Sequence, residues 1–293
     1  MRFKYPGLIL LIGVFFVSWA SILIRLCQSE PTTIAFFRML FSTVMIFCAI
    51  PFYKGHWFAK RSDLILSVLS GILLGFHFYT WVASLKFTSI SSSVVLVTTQ
   101  PIFVAVLSYF FIKEKIGLTG ILGVAIAMAG SYFVAHGDLK FGAAYLKGDI
   151  LAILGALFAG SYLFLGRVVR PRVDLLPYIL IVYGTSTAVI AILGIATNSI
   201  PMPINQADYL YLFLMALGPT ILGHSLYNYA LRHLPAFPVG MSILGEPVFA
   251  TIWGILVFAE NPASSTIFGG AIILFAVILV MLKLLPRPGE MGK

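Results

Sequence analysis

One stretch of this chain is written twice. Gln100-Pro101-Ile102-Phe103 runs on to Glu114, and Glu246-Pro247-Val248-Phe249 runs on to Glu260, at a constant offset of 146 residues. Without a gap, the same offset sets Leu85 on Leu231, Lys86 on Arg232, Ile121 on Ile267, Gly123 on Gly269 and Ala125 on Ala271. Two copies at this spacing fill nearly all 293 residues. Any fold for the chain must therefore be one unit built twice, and the expected division is 1–140 and 141–293.

The repeated unit does not belong in water. Charged residues are 10% of the chain and hydrophobic ones 60%, against about 25% charged in a soluble domain. The charges fall in short islands between apolar runs of about 20 residues, enough for a helix to cross a bilayer core of ~30 Å. The alternating pattern of membrane β-strands is absent. The expected fold class is an all-α integral membrane protein of ten transmembrane helices, forming two inverted five-helix repeats around a central cavity. The expected spans are 6–26, 32–52, 63–85, 89–112, 116–135, 148–166, 175–197, 207–231, 236–258 and 265–284. Pro6, Pro31, Pro235 and Pro262 punctuate span ends. Met1-Arg2-Phe3-Lys4 before an apolar run resembles a secretory signal, but the run to Leu26 is long enough to span, and cutting it would spoil the repeat. His136–Lys147 reads as the polar linker joining the halves. Cys27 and Cys48 read as apolar fillers with no disulfide or metal framework.

Lys and Arg set the orientation. With the N-terminus inside, 14 of the 19 basic residues lie on the inner side and 5 on the outer. Both termini are then cytoplasmic, and the net charge of +9 is a topological bias that needs no nucleic-acid partner. Each half holds an odd number of spans, so the second half enters the membrane from the opposite side. Glu114 is expected inside and its mate Glu260 outside. Inverted repeats of this kind are a transporter architecture. No phosphate-binding glycine loop and no metal-ligand spacing occurs, so no catalytic residue, metal or cofactor is expected.

Several motifs resemble the drug/metabolite transporter superfamily, in its EamA-type ten-helix branch. They are Trp19-Ala20-Ser21, Ala35-Phe36-Phe37-Arg38, Ala83-Ser84-Leu85-Lys86-Phe87-Thr88-Ser89, and the Gln100–Phe103 and Phe111–Lys115 stretches with their second-half copies. The resemblance covers essentially the whole chain. It implies a basket whose cavity is lined by spans 1, 3, 4, 6, 8 and 9, with spans 5 and 10 behind, and a finer likeness to bacterial exporters of amino acids, aromatic ones included. It also implies a bacterial inner-membrane location. The expected partners are a small-molecule substrate and the lipid bilayer, with the chain a monomer or homodimer.

The residues themselves offer candidates for substrate contact. Glu246 is the one acidic residue deep in a span, where a carboxylate is costly unless it faces a cavity or partner; it fits a substrate ammonium, a proton site, or a brace at the Pro247 kink. Gln100 is its neutral mate. His77 and Trp81 share a helical face, and Tyr227 repeats the Trp81 position in the second half. Aromatic residues with polar tips suit amphipathic solutes, though for Trp81 an interfacial belt fits equally well. His224 and Asn228 make the eighth span too polar for lipid contact. Ser93 and Thr99 in the fourth span fit either substrate contact or interhelical hydrogen bonding. Trp19, Ser161 and Tyr162 follow from the cavity that the resemblance implies. Pro101 and Pro247 read as hinges or static kinks. Arg38 is expected to reach outward or to pair with Glu30.

The function these readings support is secondary export of small zwitterionic metabolites such as amino acids. Its rivals are a nucleoside, polyamine or toxic-cation exporter, a lipid-modifying membrane enzyme, and a non-transporting sensor or subunit.

Overall fold

The computed structural model describes residues 6–88, 90–135, 143–197, 199 and 202–284. The basic N-terminal tetrapeptide, the C-terminal tail from Leu285 and His136–Gly142 lie outside the described residues, and so do the termini whose side was expected. Apart from one short 3-10 turn and a π-helical stretch, the elements are α-helices. Among the described residues, nine helices, with breaks bridged, are long and apolar enough to cross a membrane, and Leu118–Val134 is a shorter apolar helix.

The ten spans fall where hydropathy puts them. Spans 2, 3, 5, 7 and 10 are Pro31–Ala49, Arg61–Ser84, Leu118–Ala135, Leu175–Ala196 and Ser264–Leu284. Span 6 runs Ala143–Val169 and starts earlier than expected, so Ala143–Lys147 is helix rather than linker. Three spans are broken. Span 1 divides at Ser18 into Pro6–Val17 and Trp19–Leu26. Span 4 divides into Ile90–Val97 and Gln100–Ile112, and span 9 into Ala236–Ile243 and Glu246–Phe258. The breaks in spans 4 and 9 are repeat mates. Pro101 and Pro247 stand within the first two positions of the following helices, where a missing N–H costs least. They start new helices rather than bend continuous ones.

Both second segments end alike. Lys113 and Ala259, again repeat mates, are the non-glycine residues with positive φ, at 56° and 53°. The N–H of Glu114 donates to the carbonyl of Ser108 at 3.1 Å, and that of Glu260 to Gly254 at 3.3 Å. This six-to-one closure satisfies a helix carbonyl and turns the chain sharply. It leaves a glutamate at each turn, aimed back over the bundle.

Span 8 breaks the symmetry. It runs Gln206–Met215, then as a π-helix through Ala216–His224 with Pro219 inside, then Ser225–Ala230. The widened turn leaves carbonyls needing donors, and neighbouring spans supply them. Ser42 Oγ donates to Ala216 and Tyr183 Oη to Thr220, each at 3.4 Å. Backbone groups at membrane depth survive when other helices satisfy them.

Among the described residues, five ion pairs agree with the alternating course of the chain. Arg25–Glu260 and Lys86–Glu30 join the ends of odd-numbered crossings. Arg167–Glu114, Arg172–Asp63 and Arg232–Asp174 join the ends of even-numbered ones. No pair mixes the two sets, as ten alternating crossings require. Spans 5 and 10 pack on each other, with Gly130 and Gly269 so close that a Cβ on Gly269 would lie 2.5 Å from the Gly130 carbonyl oxygen. Small residues let membrane helices approach this closely.

Candidate functional site

A central cavity lies where the two halves meet. Its walls come from spans 1, 3, 4, 6, 8 and 9, with one addition from span 2. Seven of the expected residues line it: His77, Trp81, Gln100, Tyr162, His224, Tyr227 and Glu246. Gln100 and Glu246 open the second segments of spans 4 and 9, so the two helix breaks bring this repeat-mated pair into one site.

Aromatic and imidazole rings cluster on the walls from spans 3, 6 and 8. The His77 ring is stacked 5.9 Å from Trp81 at an interplanar angle of 6°. Phe78 lies edge-on to His224 at 5.5 Å, and His224 lies 6.0 Å from Tyr227. His77 donates from Nδ1 to the carbonyl of Gly155 at 2.9 Å, which fixes the ring and leaves Nε2 as the free nitrogen. Tyr162, buried, accepts from Asn228 Nδ2 at 2.5 Å. Asn228 is itself fully buried and positions that wall without lining the cavity.

Besides Asn228, four expected residues lie off the cavity, each for a local reason. Ser93 and Ser84 share a buried 2.6 Å hydrogen bond. Thr99 and Ser161 turn back to the carbonyls of Leu96 and Leu157, at 2.7 and 2.8 Å. These hydroxyls serve helix packing and backbone, the commoner role for them in membranes. Trp19 stacks on Trp253 at 4.6 Å, and Trp253 donates to Ser18 Oγ at 2.8 Å. That cluster staples span 1 to span 9 at the Ser18 break.

Arg38 corrects the sequence reading. It does not reach outward, and Glu30 pairs with Lys86 instead. Arg38 is 2% exposed and lines the cavity. Its Nε donates to Thr220 Oγ1 at 2.8 Å, inside the π-helical stretch. Its guanidinium carbon sits 4.4 Å above the centre of the Phe78 ring, a cation–π arrangement. Phe78 and Thr98 are further lining residues beyond the expected set. The available signal for Arg38 was a cation well inside an apolar span, which by default marks a functional position. Its offset partner is Gly184, so the repeat gave no second copy to draw attention to it.

The two ends of the bundle differ. On the face carrying Glu114, the side chains of Glu114 and Arg167 are only 21% and 24% exposed. Arg170, buried beside them, donates to the carbonyls of Asn228 and Val173. Asp63–Arg172 and Asp174–Arg232 lie on the same face. On the opposite face a wider hollow of about 1490 Å³ is lined by Arg25, Glu260, Ser21, Val94 and Pro247. Ser21 and Pro247 adjoin the cavity residues Ala20 and Glu246 in the chain. The hollow lies on the Glu260 face, while the Glu114 face carries the more buried of the two repeat-mated glutamate–arginine pairs. Among the described residues, no group of three His, Cys, Asp or Glu side chains could hold a metal ion.

Known proteins share this architecture. The chain is 27% identical over 282 residues to an uncharacterized transporter, YdfC, of Bacillus subtilis, with 94% of this chain and 89% of that one covered. It is 24% identical to human solute carrier family 35 member G1, covering 92% and 78%. It is 25% identical to the S-adenosylmethionine uptake transporter of Rickettsia felis, covering 85% and 82%. One crystal structure superposes with a TM-score of 0.79 at 16% identity, covering 95% and 97%, which speaks for the fold. The model of the EamA-like transporter family matches twice, at 5–135 and 146–282. A chain that folds as inverted five-helix halves around a central cavity, and matches that model along both halves, is a member of the EamA-like transporter family.

Proposed function

We propose that this protein is a secondary transporter exporting small zwitterionic metabolites, amino acids with neutral and aromatic side chains above all, by alternating access across a bacterial inner membrane. The observation that carries this reading is the placement of Glu246 in an aromatic-walled cavity at the paired helix breaks. A carboxylate there, forming no ion pair among the described residues, suits a substrate ammonium, and the rings add cation–π attraction and apolar contact. Discontinuous helices at matching positions of inverted halves mark transporter binding sites. The relative named for S-adenosylmethionine uptake handles a molecule that carries an amino-acid group, which agrees with this cargo class.

We place the Glu114 face in the cytoplasm, as the basic-residue bias favours, which puts both termini inside and makes the more buried Glu114–Arg167 pair part of a cytoplasmic gate. Rocking of the halves would then loosen the ion pairs at the face that opens.

Efflux from proteoliposomes loaded with a labelled amino-acid mixture, with and without a pH gradient, tests the proposal. Selective loss of neutral and aromatic amino acids is expected. Efflux of polyamines or quaternary amines in their place would replace this reading with a cation exporter, for which Glu246 alone would suffice.

A further inference from the structure

We propose that Arg38 is the anion-binding half of the cavity and that it takes a carboxylate, making this a site for molecules with both an acidic and a basic group. The inference rests on the transport reading above and names the part of the cargo that Glu246 leaves unmatched.

Four buried lining residues hold hydrogen-bonding atoms that find no protein partner: Arg38 Nη2, Trp81 Nε1, His224 Nδ1 and Tyr227 Oη, of which the first two can only donate. A tyrosine hydroxyl also donates. Buried donors left without acceptors are rare in folded proteins and call for an explanation. Structural needs do not explain these. Arg38 is already held by Thr220 and by the face of Phe78, which leaves a guanidinium edge unspent. No carboxylate pairs with it among the described residues, since the ion pairs all lie at the two faces. What the cavity lacks is acceptor oxygens, and a bound ligand would bring them.

Charge balance selects the type of oxygen group. The cavity carries one guanidinium and one carboxyl side chain, Arg38 and Glu246. A ligand bearing one carboxylate and one ammonium leaves every charge matched. A dianionic phosphate facing Glu246 would leave negative charge uncompensated in a low-dielectric site, where that is costly. Arginine also meets a carboxylate edge to edge, with two parallel hydrogen bonds available.

The test measures binding of three simple probes, benzoate, phenyl phosphate and benzylamine, to the purified full chain by calorimetry. Benzoate should bind the wild-type protein, and Arg38→Gln should weaken it about tenfold or more, the scale of a charge-assisted hydrogen bond. Benzylamine should be unaffected by Arg38→Gln and weakened by Glu246→Gln. Trp81→Phe keeps the ring and removes one donor, so it should weaken benzoate by a smaller factor, and it decides the matter if Arg38→Gln does not fold. Equal benzoate affinity in wild type, Arg38→Gln and Trp81→Phe would overturn the proposal. So would absence of benzoate binding, or a preference for phenyl phosphate. The parent reading fails separately: no amino-acid efflux, with benzoate still bound through Arg38, would remove the transport cargo and keep the anion site.

Discussion

Glu114 accepts a 2.8 Å hydrogen bond from Arg167 Nε, and its repeat mate Glu260 pairs with Arg25. In each case a glutamate just past a left-handed turn ties the end of span 4 or 9 to the end of the first span of the other half, 6 or 1. The same device therefore stands at both faces, once in each orientation. Its setting differs: the Glu114 pair is largely buried, whereas the Arg25 and Glu260 side chains are 52% and 45% exposed. Glu114 Oε2 also accepts from the N–H of Ala236 at 3.3 Å, at the start of span 9.

Breaking this pair should open the Glu114 face. With Ala159→Cys as a reporter on the cavity wall, in a background lacking Cys27 and Cys48, Glu114→Gln is expected to raise labelling by a membrane-impermeant maleimide from that face. Glu260→Gln should leave labelling from that face unchanged. Equal labelling in the two variants would count against a gate at Glu114.

Transport should depend on the charge of Glu246 far more than stability does. No ion pair among the described residues involves it, and Arg38, which feels its charge across the cavity, keeps its contacts to Thr220 and Phe78 in Glu246→Gln. The variant is expected to lose about tenfold or more of amino-acid flux while its melting temperature in detergent stays within a few degrees of wild type. Flux and melting temperature measured on the same preparation check this.

The interface of spans 5 and 10 gives the opposite pattern. A Cβ on Gly130 would come 2.8 Å from the Gly269 carbonyl oxygen, and backbone cannot move aside cheaply. Gly130→Val should cost about 1–3 kcal/mol through overpacking, read as a lower melting temperature. Because neither glycine lines the cavity, flux per folded molecule should persist.

Ala259 carries strain that glycine would not. A non-glycine residue in the left-handed region costs roughly 1–2 kcal/mol, and Ala259 has φ of 53°. Ala259→Gly is expected to raise thermal stability by up to about 1 kcal/mol once the added chain entropy is set against the relief. A fall in melting temperature would show that the turn is not strained.

Asp174 sets an acid limit at the Glu114 face. Hydrogen bonds from Arg232 Nη1 and Tyr53 Oη, each 2.8 Å, hold its carboxyl below the ordinary value of 3.8. A carboxyl lowered on folding contributes stability at and above its unfolded value and loses it as pH falls through the folded one. Melting temperature should therefore fall more steeply on acidification below about pH 4 in wild type than in Asp174→Asn. Parallel acid limbs would exclude this group.

Much of this molecule can be read along the chain. The ten spans, the paired breaks at Pro101 and Pro247, the inversion of the halves and the placement of Glu246 in a cavity follow from local hydropathy, proline chemistry and a constant offset. Each of these signals is written in one dimension. His77, Trp81 and Tyr227 were also accessible, because the offset doubles their helical face.

Arg38, Ser93 and Thr99 show what the chain alone leaves open. Lipid tails and protein interior are equally apolar, so a membrane helix is hydrophobic all round and its periodicity says little about which side meets a neighbour. Whether a hydroxyl turns to its own backbone, as Thr99 does, or a guanidinium turns inward over Phe78, as Arg38 does, depends on helix rotation and on partners from other spans. Thr220 meets Arg38 within the π-helical stretch of span 8, and no periodic pattern announces that distortion. Sequence determined the number, order and inversion of the helices because those depend on local transfer free energy and the duplicated pattern. Tertiary structure alone decided which polar side chains share the cavity, because that depends on packing between segments nearly two hundred residues apart.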